Sequence, residues 1–114
     1  MRKPIEVELL PEAESFVEEI EFSVRKKLFY AIRKTKMRVF GNWFAKLKGS
    51  AGIFEFHVME FGNYYRLFAF WDISKEKETL VVCTHGLIKK SNKTPKKEIE
   101  KAEEIKKKYF KGLI

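Results

Sequence analysis

Between Lys46 and Trp71 the chain carries two strand-like runs around one short break at Gly62-Asn63. This pattern demands a β-hairpin, because glycine supplies the positive φ that a two-residue hairpin turn requires. With Gly62-Asn63 as the loop, Phe61 faces Tyr64, Met59 faces Arg66, His57 faces Phe68 and Glu55 faces Phe70. Side chains alternate along a strand. Glu55, His57, Met59, Tyr64, Arg66, Phe68 and Phe70 therefore share one face. Phe54, Phe56, Val58, Tyr65, Leu67, Ala69 and Trp71 share the other. The second face is apolar apart from a tyrosine hydroxyl and is expected to be core. The first sets a carboxylate, an imidazole and a guanidinium among aromatic rings, and it is expected to lie open.

A chain of 114 residues suits a single domain, residues 1–114. Its eleven phenylalanines supply the volume for one core. The net charge of +8 favours an anionic partner, either nucleic acid or an acidic protein. The single cysteine, Cys83, sits in an apolar run, so no disulfide framework is possible and a reducing compartment is expected. No CxxC motif or histidine cluster suggests zinc, and no metal or cofactor is expected. The first residues lack the apolar run of a signal peptide, and no stretch approaches a membrane span. A cytoplasmic protein without a membrane partner is the expectation.

Ile5, Val7 and Leu9 alternate with Glu6 and Glu8, which predicts a half-buried strand. Pro11 suits a first helical turn, and Ala13, Phe16, Val17 and Ile20 fall at helical spacing. Ser23 is positioned to cap a second helix with Val24, Leu28, Ala31 and Ile32 inward. The pattern is compatible with one bent helix or a helical hairpin. Thr35 to Ala45 is less regular, with Trp43 and Phe44 as anchors to the core. Thr79 to His85 lacks clean alternation and reads as a central strand buried on both sides, after a polar connection from Asp72 to Glu78. A basic loop follows, and Thr94-Pro95 predicts the start of a last helix carrying Ile99, Ala102, Ile105 and Tyr109 on one stripe.

Taken together, Lys46-Leu47-Lys48-Gly49, Gly52-Ile53-Phe54-Glu55-Phe56, Tyr65-Arg66-Leu67-Phe68, His85-Gly86-Leu87-Ile88-Lys89-Lys90 and Lys93-Thr94-Pro95 occur in one order over nearly the whole chain. This ordered set resembles the HigB-like, phage-derived branch of the RelE/ParE toxin superfamily. The resemblance implies an α+β fold, with N-terminal helices packed on one face of a twisted antiparallel sheet, a concave open face opposite, and a C-terminal helix. It implies the toxin of a type II toxin–antitoxin pair, a ribosome-dependent endoribonuclease that cuts mRNA. The partners implied are mRNA on the ribosome and a cognate antitoxin, expected to be a helix-turn-helix protein. Arg66 matches the recurrent Tyr-Arg arginine of these nucleases. Glu55 and His57 fall on the strand where they often place basic residues.

Metal-free RNA cleavage uses the ribose 2′-hydroxyl as nucleophile. It needs a base, a cation for the phosphorane charge and an acid for the leaving oxygen. Arg66 is the candidate phosphate clamp, because guanidinium donates a bidentate pair and stays charged. His57 is the candidate acid or base, and Glu55 the base or an orienting group. Lys46, Lys48, His85, Lys89, Lys90 and Lys93 are expected to form an RNA phosphate surface. Tyr64, Phe68 and Phe70 are of the type that stacks on bases. Two alternatives stand beside this reading: a ParE-like gyrase inhibitor on the same fold, and a non-catalytic RNA- or protein-binding domain.

Overall fold

The computed structural model describes residues 3–74 and 80–114. The predicted polar connection and the first residue of the predicted central strand therefore lie in part outside the described residues.

The hairpin exists, as strands β3 (Phe54–Glu60) and β4 (Asn63–Asp72), but its loop is Phe61-Gly62. Both loop residues have positive φ, +55° at Phe61 and +73° at Gly62. That is the requirement of a mirror-image two-residue turn whose twist matches the strands it joins. Asn63 thus opens the second strand opposite Glu60. The loop lies one residue earlier than expected, so each pairing moves by two. His57 stands directly across from Arg66, Met59 from Tyr64 and Glu55 from Phe68. A shift of two preserves side-chain parity, and the two predicted faces survive intact.

Around this hairpin the sheet has five strands. β1 (Glu6–Leu9), β2 (Phe44–Lys46) and β5 (Leu80–Lys89) complete it in the order β1-β5-β4-β3-β2. It is antiparallel except that β1 lies parallel to β5. β5 is an interior strand between β1 and β4, buried on both sides as expected, with Val81 to His85 all buried. It also runs on to Lys89, so the first half of the predicted basic loop is strand. β2 is a short edge strand within the region that had no clear period.

The helical region is two helices, α1 (Pro11–Glu19) and α2 (Phe22–Lys36), separated by extended backbone at Ile20 and Glu21. Helix ends leave carbonyls unpaired. Arg25 fills this need for α1: its Nε donates to the Val17 carbonyl at 2.9 Å, and its Nη2 donates to the Glu18 and Ile20 carbonyls at 2.6 and 3.2 Å. Ser23 is not the cap. Glu21 holds that position, and the Ser23 hydroxyl instead donates to Glu60 at 2.6 Å.

α1 and α2 cover one sheet face. Phe56, Val58, Tyr65, Leu67 and Ala69 pack there against Val17, Val24, Leu28 and Ile32. Phe16 lies so close over Gly86 that any Cβ there would fall 2.1 Å from its ring. Trp43 and Phe44 do anchor their segment: Phe44 stacks on Phe54 at 5.0 Å, and the Trp43 Nε1 donates to Thr35 at 3.3 Å. The opposite sheet face is not wholly open. Helix α3 (Lys96–Phe110) lies across it, and Phe68, Phe70, Val82 and Ala102 form a second buried cluster with Tyr109. Phe68 and Phe70 are fully buried and unavailable for base stacking. No described helix is long and apolar enough to cross a membrane.

Candidate active site

The mixed face of the hairpin divides in two. Toward Phe70 it is core beneath α3; toward the turn it carries Glu55, His57, Met59, Tyr64 and Arg66. Alternation alone puts these five on one side, and the observed register brings them within reach of one another.

Arg66 is the centre of this group and is buried, with 2% of its surface exposed. That overturns the expectation of an arginine on an open face. Its Nη1 donates to the Glu55 Oε1 at 2.6 Å. Its Nη2 donates to the main-chain carbonyl of Asn92, with the Asn92 side-chain oxygen 3.4 Å away. Its Nε is buried and has no partner among the described residues. The guanidinium also lies 5.6 Å from the Tyr64 ring centre, a cation–π distance. Tyr64 in turn stacks on His57, with ring centres 6.2 Å apart and planes 16° from parallel.

Glu55 is 8% exposed. Burial pushes its carboxyl above the ordinary carboxylate range, against the pull of the Arg66 guanidinium, His57 and the Thr94 hydroxyl. Thr94 donates to the Glu55 Oε2 at 3.4 Å. This is the role of Thr94, rather than a helix cap: α3 begins at Lys96 with Pro95 in the capping position and no side-chain cap. A carboxyl raised by desolvation and held beside a fixed cation has the character of a general base.

The structure separates the six residues expected to bind phosphate. Lys89 pairs with Tyr64 across β4 and β5, so it shares the site's face. Lys90 and Lys93 are exposed on the turn that carries Asn92 over Arg66. Lys46 pairs with Phe54, which puts it on the side of the sheet facing α1 and α2, away from the site. Lys48 is exposed in the loop after β2.

His85 is not on a phosphate surface. A bulge in β5 sets Thr84 and His85 against Phe68, and the imidazole stacks on that ring at 4.7 Å. Its Nδ1 lies 3.0 Å from the Thr84 hydroxyl and its Nε2 lies 3.0 Å from Glu98 Oε1. With 1% of its surface exposed, it fastens α3 to the sheet. Burial lowers its affinity for a proton, outweighing the nearby Glu98.

Asn92 is the site residue that the sequence did not disclose. It lies 26 positions from Arg66, and nothing in its local pattern distinguishes it from the polar residues beside it. Among the described residues no group of three or more metal-ligating side chains stands together.

The chain is similar in fold to a double arginine-to-alanine mutant of Escherichia coli toxin RelE in the free state. The match has 13% identity and a TM-score of 0.62, over 87% of this chain and 93% of that one. It is also similar to a chain of the toxin–antitoxin complex RelBE2 from Mycobacterium tuberculosis, with 16% identity and a TM-score of 0.53, over 80% of this chain and 98% of that one. No curated protein matches it. The family model for phage-derived Gp49-like proteins matches residues 15–107, from within α1 to within α3, and takes in the whole of the site. The chain thus belongs to the phage-derived Gp49-like protein family, with a fold similar to that of these RelE toxins.

Proposed function

We propose that this protein is the toxin of a type II toxin–antitoxin pair and that it cuts mRNA on the ribosome. The observation that carries the reading is the cluster of Arg66, Glu55, His57 and Tyr64 on one sheet face, bordered by Lys89, Lys90 and Lys93. It supplies the parts that 2′-hydroxyl attack requires.

In this mechanism the basic rim holds the RNA backbone and Tyr64 receives a base. Glu55 or His57 takes the proton from the 2′-hydroxyl. The oxygen attacks the adjacent phosphorus, and the bond to the 5′-oxygen breaks. Arg66 holds the charge that builds on the equatorial phosphoryl oxygens. His57, two residues from Glu55 on the same strand, is the group available to protonate the leaving 5′-oxygen when Glu55 is the base.

The antitoxin is inferred from charge and exposed apolar surface. α2 contains no acidic residue and carries Arg25, Lys26, Lys27, Arg33, Lys34 and Lys36. Phe22, Phe29 and Tyr30 are exposed among them. An acidic partner with an apolar stripe fits such a face, with an association rate that falls as salt rises.

The test is conditional expression of the chain, with mapping of mRNA ends inside and outside translated codons. Cuts confined to translated regions and lost in His57→Ala support the reading. DNA breaks with intact mRNA would favour the gyrase-inhibitor alternative, and growth arrest with neither would favour a binding domain. The burial of Arg66 is the one observation on the side of that last alternative, since a covered guanidinium cannot touch phosphate until something moves.

A further inference from the structure

A guanidinium has two edges that can grip a pair of oxygens, and Arg66 uses them unequally. Nη1 is taken by Glu55 at 2.6 Å. On the other side, Nη2 and Nε form the lateral edge that fits a phosphate or carboxylate with two parallel bonds. Here Nη2 meets only neutral oxygens, the Asn92 main-chain carbonyl and, at 3.4 Å, its side-chain oxygen, and Nε meets nothing among the described residues. Buried donors are nearly always satisfied, so a buried arginine Nε without a partner calls for an explanation.

The covering segment is lightly held. Lys90, Ser91, Asn92 and Lys93 are exposed. The bonds that tie the segment down over the site are those of Asn92 to Arg66 and of Thr94 to Glu55, the latter a long 3.4 Å. Its one other described bond, from the Lys93 amide to the Ser91 hydroxyl, is internal to the turn.

We propose that the Asn92 carbonyl stands in for one oxygen of an RNA phosphodiester on the lateral edge of Arg66. The incoming phosphodiester displaces the strap from Lys90 to Thr94 and satisfies Nη2 and Nε together. The inference rests on the reading of Arg66 as a phosphate clamp, and it adds that the clamp is closed by the protein's own main chain in the free state. Displacement frees the strap lysines to follow the RNA backbone, since they ride on the same turn. Occupancy of the open form then sets the apparent affinity, which is the intrinsic affinity multiplied by the fraction of molecules that are open.

The experiment is ¹⁵N-edited NMR of the arginine Nε–H groups and the backbone amides of the full chain. A short 2′-O-methyl RNA, whose blocked hydroxyls cannot attack, is the probe. Arg66→Lys assigns the Nε–H signal. Binding should shift the Arg66 Nε–H and the Asn92 and Lys93 amides together. Thr94→Val combined with Asn92→Gly removes the two long side-chain bonds of the strap, each 3.4 Å, and should tighten probe binding about fivefold, as two such long bonds together correspond to about one neutral hydrogen bond of ordinary length. A probe that moves Lys89 and Lys90 but leaves the Arg66 Nε–H and Asn92 amide in place overturns the proposal. So does a strap variant that binds no tighter while its spectrum remains that of a folded protein. Neither result depends on cleavage. Displacement without mRNA cuts in cells would refute the nuclease and keep the clamp. Cuts without displacement would do the reverse.

Discussion

Replacing Arg66 by methionine tests the burial of its ion pair with Glu55. Arg66 is 2% exposed and Glu55 8% exposed, and they meet at 2.6 Å. Removing one partner of a buried pair leaves an uncompensated charge and costs about 3–5 kcal/mol. At about 4 °C per kcal/mol for a domain of this size, the melting temperature should fall by roughly 12–20 °C near pH 7.5. The loss should shrink in acid. Burial already raises the Glu55 carboxyl, and without Arg66 nothing as strong opposes that rise. For a group whose folded value is raised, its contribution is fully present below its unfolded value and is lost as pH rises through the folded one. Arg66→Met should therefore lie closer to the parent near pH 5 than near pH 7.5. The double variant Glu55→Leu with Arg66→Met should recover most of the stability, because well-packed apolar replacements of such pairs are often neutral. Thermal unfolding gives the fall in melting temperature, and urea unfolding of the parent, single and double variants at both pH values gives the free energies. If Arg66→Met unfolds within about 0.5 kcal/mol of the parent at pH 7.5, as an exposed surface substitution would, the burial argument fails. The same follows if the double variant is no better than the single one. Activity lost in Arg66→Ala alone would be uninformative, since loss of fold and loss of the clamp would look alike.

Three further outcomes are expected. Phe61, at φ +55° with its ring largely exposed, is replaceable by asparagine, which tolerates that backbone; Phe61→Asn should stabilise by about 1 kcal/mol in thermal unfolding, and a destabilised variant would show that the ring is needed for packing. His85 binds protons less readily folded than unfolded, so its contribution to stability is present above about pH 6.5 and is lost as pH falls through the lower folded value; its imidazole resonance should titrate below that of histidine in a short peptide, and a midpoint at or above the ordinary value would refute its burial. Gly86→Ala should cost about 1–3 kcal/mol through collision with the Phe16 ring, with partial recovery in Phe16→Ala, and additive effects of the two changes would exclude the clash.

The local code of this chain determined four of its five strands, the faces of its hairpin and the end of its last loop, while the short edge strand β2 left no period to read. Alternation from Phe54 to Trp71 put Glu55, His57 and Arg66 on one side, and it did so even with the loop placed one residue late, because pairings that move by two keep their parity. The apolar run at Val81 to Cys83 was legible as central for a similar reason: burial on both faces leaves no alternation to see. What required the tertiary structure were contacts between distant positions. The break between α1 and α2 is held by Arg25 reaching back to three carbonyls, a bond set that leaves no periodic mark. His85 turned inward because a bulge in β5 opposes two residues to Phe68. Lys46 fell on the helix-covered side because its partner is Phe54. Arg66 was identifiable by type and face, but whether water, RNA or protein covers a face depends on where a segment 26 residues away comes to rest. Asn92 decided that, through a main-chain carbonyl that any residue in its place would also possess.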